Sequence, residues 1–324
     1  MCGIVGVASN APVNQLIYDA LLLLQHRGQD STGIATCEGR TLHMSKAKGQ
    51  VREAFRTRDM RALLGNVGLG HVRYATAGAA SNEEEAQPFY VNAPYGIILV
   101  HNGNLTNTRE LTNDLFSIDR RHVNTSSDTE LLLNVLATEL QGQISGLDLD
   151  PDQAFKAVST LHTRVQGSYA VIAIIAGKGL LAFRDPFGIR PLILGSRIDE
   201  STGKIDWVVA SESLVLESAG FEIVRDVEPG EAGPVHSAGL LMVDADSWPC
   251  ADLRADWTDE ACPIEAVARA WAVYAPQMAA YVQRARDPRE APSYGVPGVI
   301  FDAAAKGAQA YIAFGKELVE RLAR

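Results

Sequence analysis

The chain has 324 residues, 47% of them hydrophobic and 21% charged, and 29 Lys plus Arg against 39 Asp plus Glu give a formal charge of −10. That composition excludes a disordered or fibrous chain, and the acidic balance argues against a nucleic-acid partner, since phosphate backbones call for a basic surface. The longest strongly apolar run, Tyr169 to Ala176, is far short of the ~20 residues of a membrane-spanning helix, and the start Met-Cys-Gly-Ile-Val-Gly has no signal-peptide pattern, so the expectation is a cytoplasmic protein with no membrane partner.

Gly3 to Ala8 is short, small and apolar and predicts a buried strand. Leu16, Ile17, Ala20, Leu21 and Leu24 recur at helical steps, with Gly28 as the stop signal. Ser31 to Cys37 reads as a strand. Val67 to Gly78 reads as a short strand ending in a Gly- and Ala-rich loop, whose small residues permit close approach to a ligand. Tyr95 to His101 predicts another buried strand, ended by the turn signal Asn102-Gly103-Asn104.

Ser127-Asp128-Thr129-Glu130 predicts a helix start with a capping box, followed by the apolar positions Leu131, Leu132, Val135 and Leu140. Pro151 marks a further helix with a stripe of Phe155, Val158, Leu161 and Val165. Strands are expected over Ser168 to Ile175, Leu180 to Phe183, Trp207 to Ala210 and Val224 to Val227. Arg184 to Leu192 reads as a turn with re-entry into a strand, and Pro229-Gly230 as a turn. Strands and helices come in groups rather than in strict alternation, which favours a layered α+β fold.

Beyond about residue 239 the texture changes. Trp248, Trp257 and Trp271 fall among many alanines. Ile264, Val267, Trp271, Tyr274 and Met278 outline one helix, with Pro276 near its end. Residues 287–298 read as a linker, and Tyr311, Phe314, Leu318 and Leu322 outline a last helix. The expected division is 2–235 as one domain and 236–324 as a mostly helical tail.

The four cysteines (Cys2, Cys37, Cys250, Cys262) include no CxxC pair, so free thiols and no metal site are expected. Cys2 stands apart. If Met1 is removed, one residue owns both a thiol, with a reference pKa of about 8.5, and an α-amine of about 7.7–8.0 that can act as its base. Acyl transfer also needs oxyanion donors, which Asn102 and Gly103 can supply as a side-chain amide and a backbone N–H. An amino-acid substrate would need a cation for its carboxylate, which Arg73 can provide beside the hydroxyls of Tyr74 and Thr76. It would also need an anion for its ammonium, which Asp128 can provide at a helix start. Taken singly, Arg73 reads as a surface ion pair, Asn102-Gly103 as a turn and Asp128 as a helix cap. Together with Cys2 they form a set for opening an amino-acid side-chain amide.

The motifs that carry this set run in order from Cys2-Gly3-Ile4-Val5-Gly6 and Leu24-Gln25-His26-Arg27-Gly28-Gln29-Asp30-Ser31 to Gly70-His71-Val72-Arg73-Tyr74-Ala75-Thr76-Ala77-Gly78. His101-Asn102-Gly103-Asn104-Leu105, Ser127-Asp128-Thr129-Glu130, Arg184 to Leu192 and Glu228-Pro229-Gly230-Glu231 follow. In these strings residues 2–235 resemble the glutaminase domain of the amidophosphoribosyltransferase family, within the class II glutamine amidotransferases.

The resemblance implies a four-layer αββα sandwich of the N-terminal nucleophile type. It implies Cys2 as the nucleophile, a glutamyl thioester, and Asn102 and Gly103 as the oxyanion hole. Arg73 and Asp128 would hold glutamine, with Tyr74 and Thr76 on a loop closing over it. Arg27 and Arg184 to Leu192 would be framework. No cofactor is implied for this half.

The family's acidic pair followed by Thr, Ser and Gly, which grips a ribose phosphate, is not found after residue 235. Asp244 and Asp246 are split by Ala245. Mg2+ is therefore expected only if a phosphoribosyl pyrophosphate site exists, and three cysteines besides Cys2 are too few for the family's iron–sulfur cluster. The expected partners are glutamine and either a separate phosphoribosyl-transferring chain or a homo-oligomer. The alternatives are a non-catalytic scaffold or regulatory partner, and a class II amidotransferase with a novel acceptor domain.

Overall fold

The computed structural model describes residues 2–74, 85–144, 149–200, 202–236 and 239–240, all within one of the chain's two units. Strand β1 (Gly3–Ala8) is buried at all six positions, as a central strand of a doubly covered sheet must be. It pairs antiparallel with β4 (Val67–Arg73) on one side and β10 (Ile205–Ala210) on the other. Beyond β4 lie β2 (Ser31–Glu38) and β3 (Thr41–Lys48), and beyond β10 lie β9 (Ile193–Ile198) and β11 (Glu222–Asp226), which completes a seven-stranded sheet.

The second sheet has six strands. Its centre is β6 (Ile97–Leu105), β7 (Gly167–Ile175) and β8 (Gly179–Arg184). The short β5 (Phe89–Val91) flanks β6, while β12 (Ala232–His236) and β13 (Gly239–Leu240) follow β8.

Strand alternation splits each sheet between two layers. Ile4, Ala8, Leu69 and Val209 of the first sheet meet Ile98, Val100, Ile172 and Leu180 of the second in an inter-sheet core. The opposite faces carry helices. Val5 and Val7 pack with Ile17 and Leu21 of α1 (Asn14–Leu23) and with Val215 of α7 (Ser213–Ser218). The short helices α2 (Val51–Ala54) and α3 (Thr57–Ala62) border the same layer. Leu99 and Val171 pack with α5 (Asp128–Gln143) and α6 (Pro151–Arg164) through Leu132, Leu136 and Val158, and α4 (Thr108–Ser117) adds Leu111 and Leu115. The layers are αββα, as expected.

Several local expectations hold for local reasons. Helix α6 begins at Pro151 behind a full capping box, with Asp150 accepting from the Asp152 N–H at 2.9 Å and Gln153 accepting from the Asp150 N–H at 3.0 Å. Helix α1 passes into a 3-10 turn over Leu24–Arg27 and stops at Gly28.

Two expectations are corrected. Asn102-Gly103-Asn104 does not end its strand, because β6 continues to Leu105 with Asn102 opposite Ala170 and Gly103 opposite Tyr169. Pairing with the long apolar β7 outweighs the local turn signal. Ser127 does cap α5, but without a side-chain hydrogen bond. Glu130 instead accepts from the backbone N–H groups of Asn124 and Thr125 at 2.9 and 2.7 Å, pinning the preceding loop. Strands β3, β5, β12 and β13 and helices α2, α3, α4 and α7 carry no expectation from the sequence. Thr76, the loop around it and the expected tail helices lie outside the described residues.

Candidate active site

Cys2 stands at the head of β1. Ile4 and Ala8 face the inter-sheet layer, and the same alternation carried back puts the Cys2 side chain on that face. The strand head is anchored reciprocally to Ser211: the Ile4 N–H donates to Ser211 Oγ and the Ser211 N–H to the Ile4 carbonyl, each at 3.0 Å. Arg27 reaches the Cys2 carbonyl at 3.5 Å and pairs with Glu212, which His26 also contacts at 2.9 Å.

Burial pushes the Cys2 thiol up, against the opposing pull of a hydrogen bond from the Tyr74 N–H and of the Arg73 charge. Asp128 acts in the same direction as burial. Burial thus favours the protonated thiol over the thiolate. Arg190 lies within electrostatic reach of the same thiol.

Asn102 is 1% exposed, and among the described residues its side-chain Nδ2 has no hydrogen-bond partner. A buried, unpaired amide donor costs about 1–3 kcal/mol, so its persistence calls for a reason. Ile98 and Val100 of the same strand face the inter-sheet core, and Asn102 shares their parity and hence the face of Cys2.

Gly103 occupies a different edge. Strand β5 covers β6 only as far as Leu99. Past that point side chains take the place of a strand. Gln87 accepts from the His101 N–H at 2.6 Å and donates to the His101 carbonyl at 3.1 Å, and Asp128 Oδ2 accepts from the Leu105 N–H at 3.1 Å. Successive N–H groups alternate along a strand, so the Gly103 N–H points to this same edge, between the Gln87 and Asp128 attachments.

Arg73 ends β4 with its side chain 11% exposed. Its Nη1 donates to Asp30 Oδ2 at 3.2 Å and its Nη2 to Glu85 Oε2 at 2.9 Å. Five donors on a planar fork allow one guanidinium to serve several oxygens. Asp128, in the first turn of α5, lies 3.7 Å from His101 Nδ1, which Thr129 Oγ1 approaches at 3.2 Å. Burial holds His101 below its ordinary range, against the pull of Asp128. Tyr74 is exposed.

Of the residues singled out in the sequence, Arg73 and Asp128 each lie within electrostatic reach of the Cys2 thiol, while Asn102 and Gly103 extend from β6 toward the inter-sheet face and the open edge. Arg184 and Asp185 serve as framework, as expected. Arg184 donates to the carbonyls of Gly188, Arg190 and Val227, and the fully buried Asp185 accepts from the N–H groups of Tyr169, Phe187 and Ile189. Glu85 and Gln87 were missed. Glu85 closes a run of three glutamates that by pattern reads as solvated surface, and Gln87 sits beside a proline, so neither carries a local signal.

Among the described residues no group of three or more His, Cys, Asp or Glu is placed to hold a metal ion, and no helix is long and apolar enough to cross a membrane.

A family model described as Glutamine amidotransferase domain matches residues 71–217. The amidophosphoribosyltransferase of Pasteurella multocida is 57% identical over 253 residues, which is 78% of this chain and 49% of that protein. The Escherichia coli amidophosphoribosyltransferase is 52% identical over 244 residues, covering 75% and 48%. The solved glutamine phosphoribosylpyrophosphate amidotransferase from B. subtilis, complexed with ADP and GMP, superposes with a TM-score of 0.63 at 31% identity over 75% of this chain and 49% of that one. The chain thus spans about half the length of these relatives.

Proposed function

We propose that this chain, whose residues 71–217 match a glutamine amidotransferase domain and which is more than half identical to two amidophosphoribosyltransferases over their shared span, hydrolyses the side-chain amide of glutamine to glutamate and ammonia. This is the ammonia-releasing half of an amidophosphoribosyltransferase reaction in purine biosynthesis. The observation that carries the reading is the buried Asn102 Nδ2, without an acceptor among the described residues, on the face shared with Cys2. Such a donor suits an oxygen that becomes negative only during reaction.

In this reading removal of Met1 frees the Cys2 α-amine. The amine takes the thiol proton as sulfur attacks the amide carbon. The carbonyl electrons move onto oxygen, where Asn102 Nδ2 and the Gly103 N–H receive them. The tetrahedral intermediate collapses, the C–N bond breaks, and the amine returns the proton to the leaving ammonia. Water, deprotonated by the same amine, then cleaves the thioester and regenerates the thiol. Arg73 pairs with the substrate α-carboxylate and Asp128 with its ammonium, and Tyr74 follows Arg73 at the carboxylate end. The chain's own groups suffice for these steps without a cofactor. Mg2+ enters only with a phosphoribosyl pyrophosphate site, and the ammonia acceptor would come from a separate phosphoribosyl-transferring chain or another copy of this one.

The test is ammonia release from glutamine by the purified chain, with and without phosphoribosyl pyrophosphate, alongside the intact mass. The expected result is a chain lacking Met1 that releases ammonia without the acceptor and loses this in Cys2→Ala. Release that survives Cys2→Ala, or turnover by a chain that keeps Met1, overturns the mechanism.

A further inference from the structure

We propose that Glu85 is a positioning residue that spaces the two ends of the amino-acid site, joining the arginine that faces the substrate carboxylate to the loop that presents the aspartate for its ammonium. The inference rests on the reading of Arg73 and Asp128 given above. One Glu85 oxygen, Oε2, accepts from Arg73 Nη2 at 2.9 Å, and the other, Oε1, accepts from Ser126 Oγ at 2.6 Å. The side chain is 7% exposed, so the pair is shielded from the screening that makes surface ion pairs weak.

Ser126 is two residues before Asp128, in a loop that Glu130 fixes through the Asn124 and Thr125 N–H groups. Asp128 is in turn tied to β6 by the Leu105 N–H at 3.1 Å. Arg73 therefore belongs to one sheet and Asp128 is tied through helix α5 to the other, and the Glu85 carboxylate bonds both Arg73 and the loop before Asp128. Glutamine carries its carboxylate and ammonium on one carbon, so both charged ends must be set at one spacing to hold it. Those groups are unchanged between ground and transition state. A strut that spaces their partners acts on uniform binding, which appears in KM and leaves kcat alone.

The experiment uses the full chain with Glu85→Ala, Glu85→Gln and wild type, measuring KM and kcat for glutamine. A second readout is the rate at which iodoacetamide alkylates the Cys2 peptide, with and without glutamine. Glu85→Ala is expected to raise KM about tenfold or more, as loss of a charge-assisted bond does, with kcat within about threefold and unliganded alkylation unchanged. Glu85→Gln keeps an acceptor for Arg73 and turns a donor to Ser126 Oγ, so it is expected to restore KM to within about threefold of wild type.

Equal KM in Glu85→Ala and wild type, a loss expressed in kcat, or a parallel fall in Cys2 alkylation overturns the strut while leaving the glutamine site standing. A wild-type chain that neither turns over glutamine nor is protected by it from alkylation refutes the site reading, and the strut with it.

Discussion

Gly28 lies against the main chain of Arg73 with no room for a side chain: a Cβ there would fall 2.3 Å from the Arg73 carbonyl carbon and 2.5 Å from its oxygen. The Gly28 φ of −168° is ordinary extended backbone, so the requirement is steric. The turn that ends α1 thereby fixes where Arg73 and Tyr74 leave β4.

Gly28→Ala is accordingly expected to push the Arg73–Tyr74 main chain away, because backbone cannot yield as a flexible side chain does. Overpacking of this kind costs about 1–3 kcal/mol, and a displacement of about 1 Å at a substrate-orienting group can cost about 100-fold. Urea unfolding and glutamine kcat/KM measured on one preparation check it. A variant with wild-type kcat/KM would mean that the contact does not position Arg73.

Asn102→Ala separates catalysis from folding. Loss of one oxyanion donor is expected to lower kcat by about 10²–10³. The Nδ2 donor it removes has no partner among the described residues, so the urea midpoint is expected to stay near wild type, since deleting an unsatisfied donor returns its desolvation cost. A large fall in stability with little change in kcat would reverse the assignment and make Asn102 a structural residue.

Two buried histidines set an acid limit on stability. Burial lowers His71 and His162 from 6.5 to about 3. Both are neutral in the fold and take up protons in the unfolded chain below about 6.5. Their contribution is complete above that pH and is lost as pH falls toward 3. Each can steepen the loss by at most about 1.4 kcal/mol per pH unit. His162 Nδ1 pairs with Tyr169 Oη at 2.5 Å, a bond that a glutamine carbonyl can accept. His162→Gln should therefore flatten the dependence of the urea midpoint between about pH 7 and 5 by one proton's worth. An unchanged slope would show that His162 protonates in the folded state.

Much of the fold was legible because it is written locally. The unbroken apolar run of β1, the stripe and proline of α6, and the stop at Gly28 depend on neighbours a few residues away. The proposed site chemistry is argued from equally local features: Cys2, Arg73, Asn102 and Asp128 each bring a functional group suited to one end of an amide-bearing amino acid. Where reading failed, a distant partner had outweighed a local signal. Asn102-Gly103-Asn104 looks like a turn until β7 lies beside it, and Glu130 looks like half of a capping box until the Asn124–Thr125 backbone competes for it.

Residue chemistry and periodicity, which by themselves decide the layered α+β pattern and the inventory of proposed nucleophile, donors and clamps, belong to the sequence. Which edge of β6 stays open for Gly103, and which partners Glu85 joins across 12 and 41 residues of chain, were decided by strand register and sheet stacking. Those are settled only when segments far apart in the chain bury their faces together, and no local pattern encodes the distance between them.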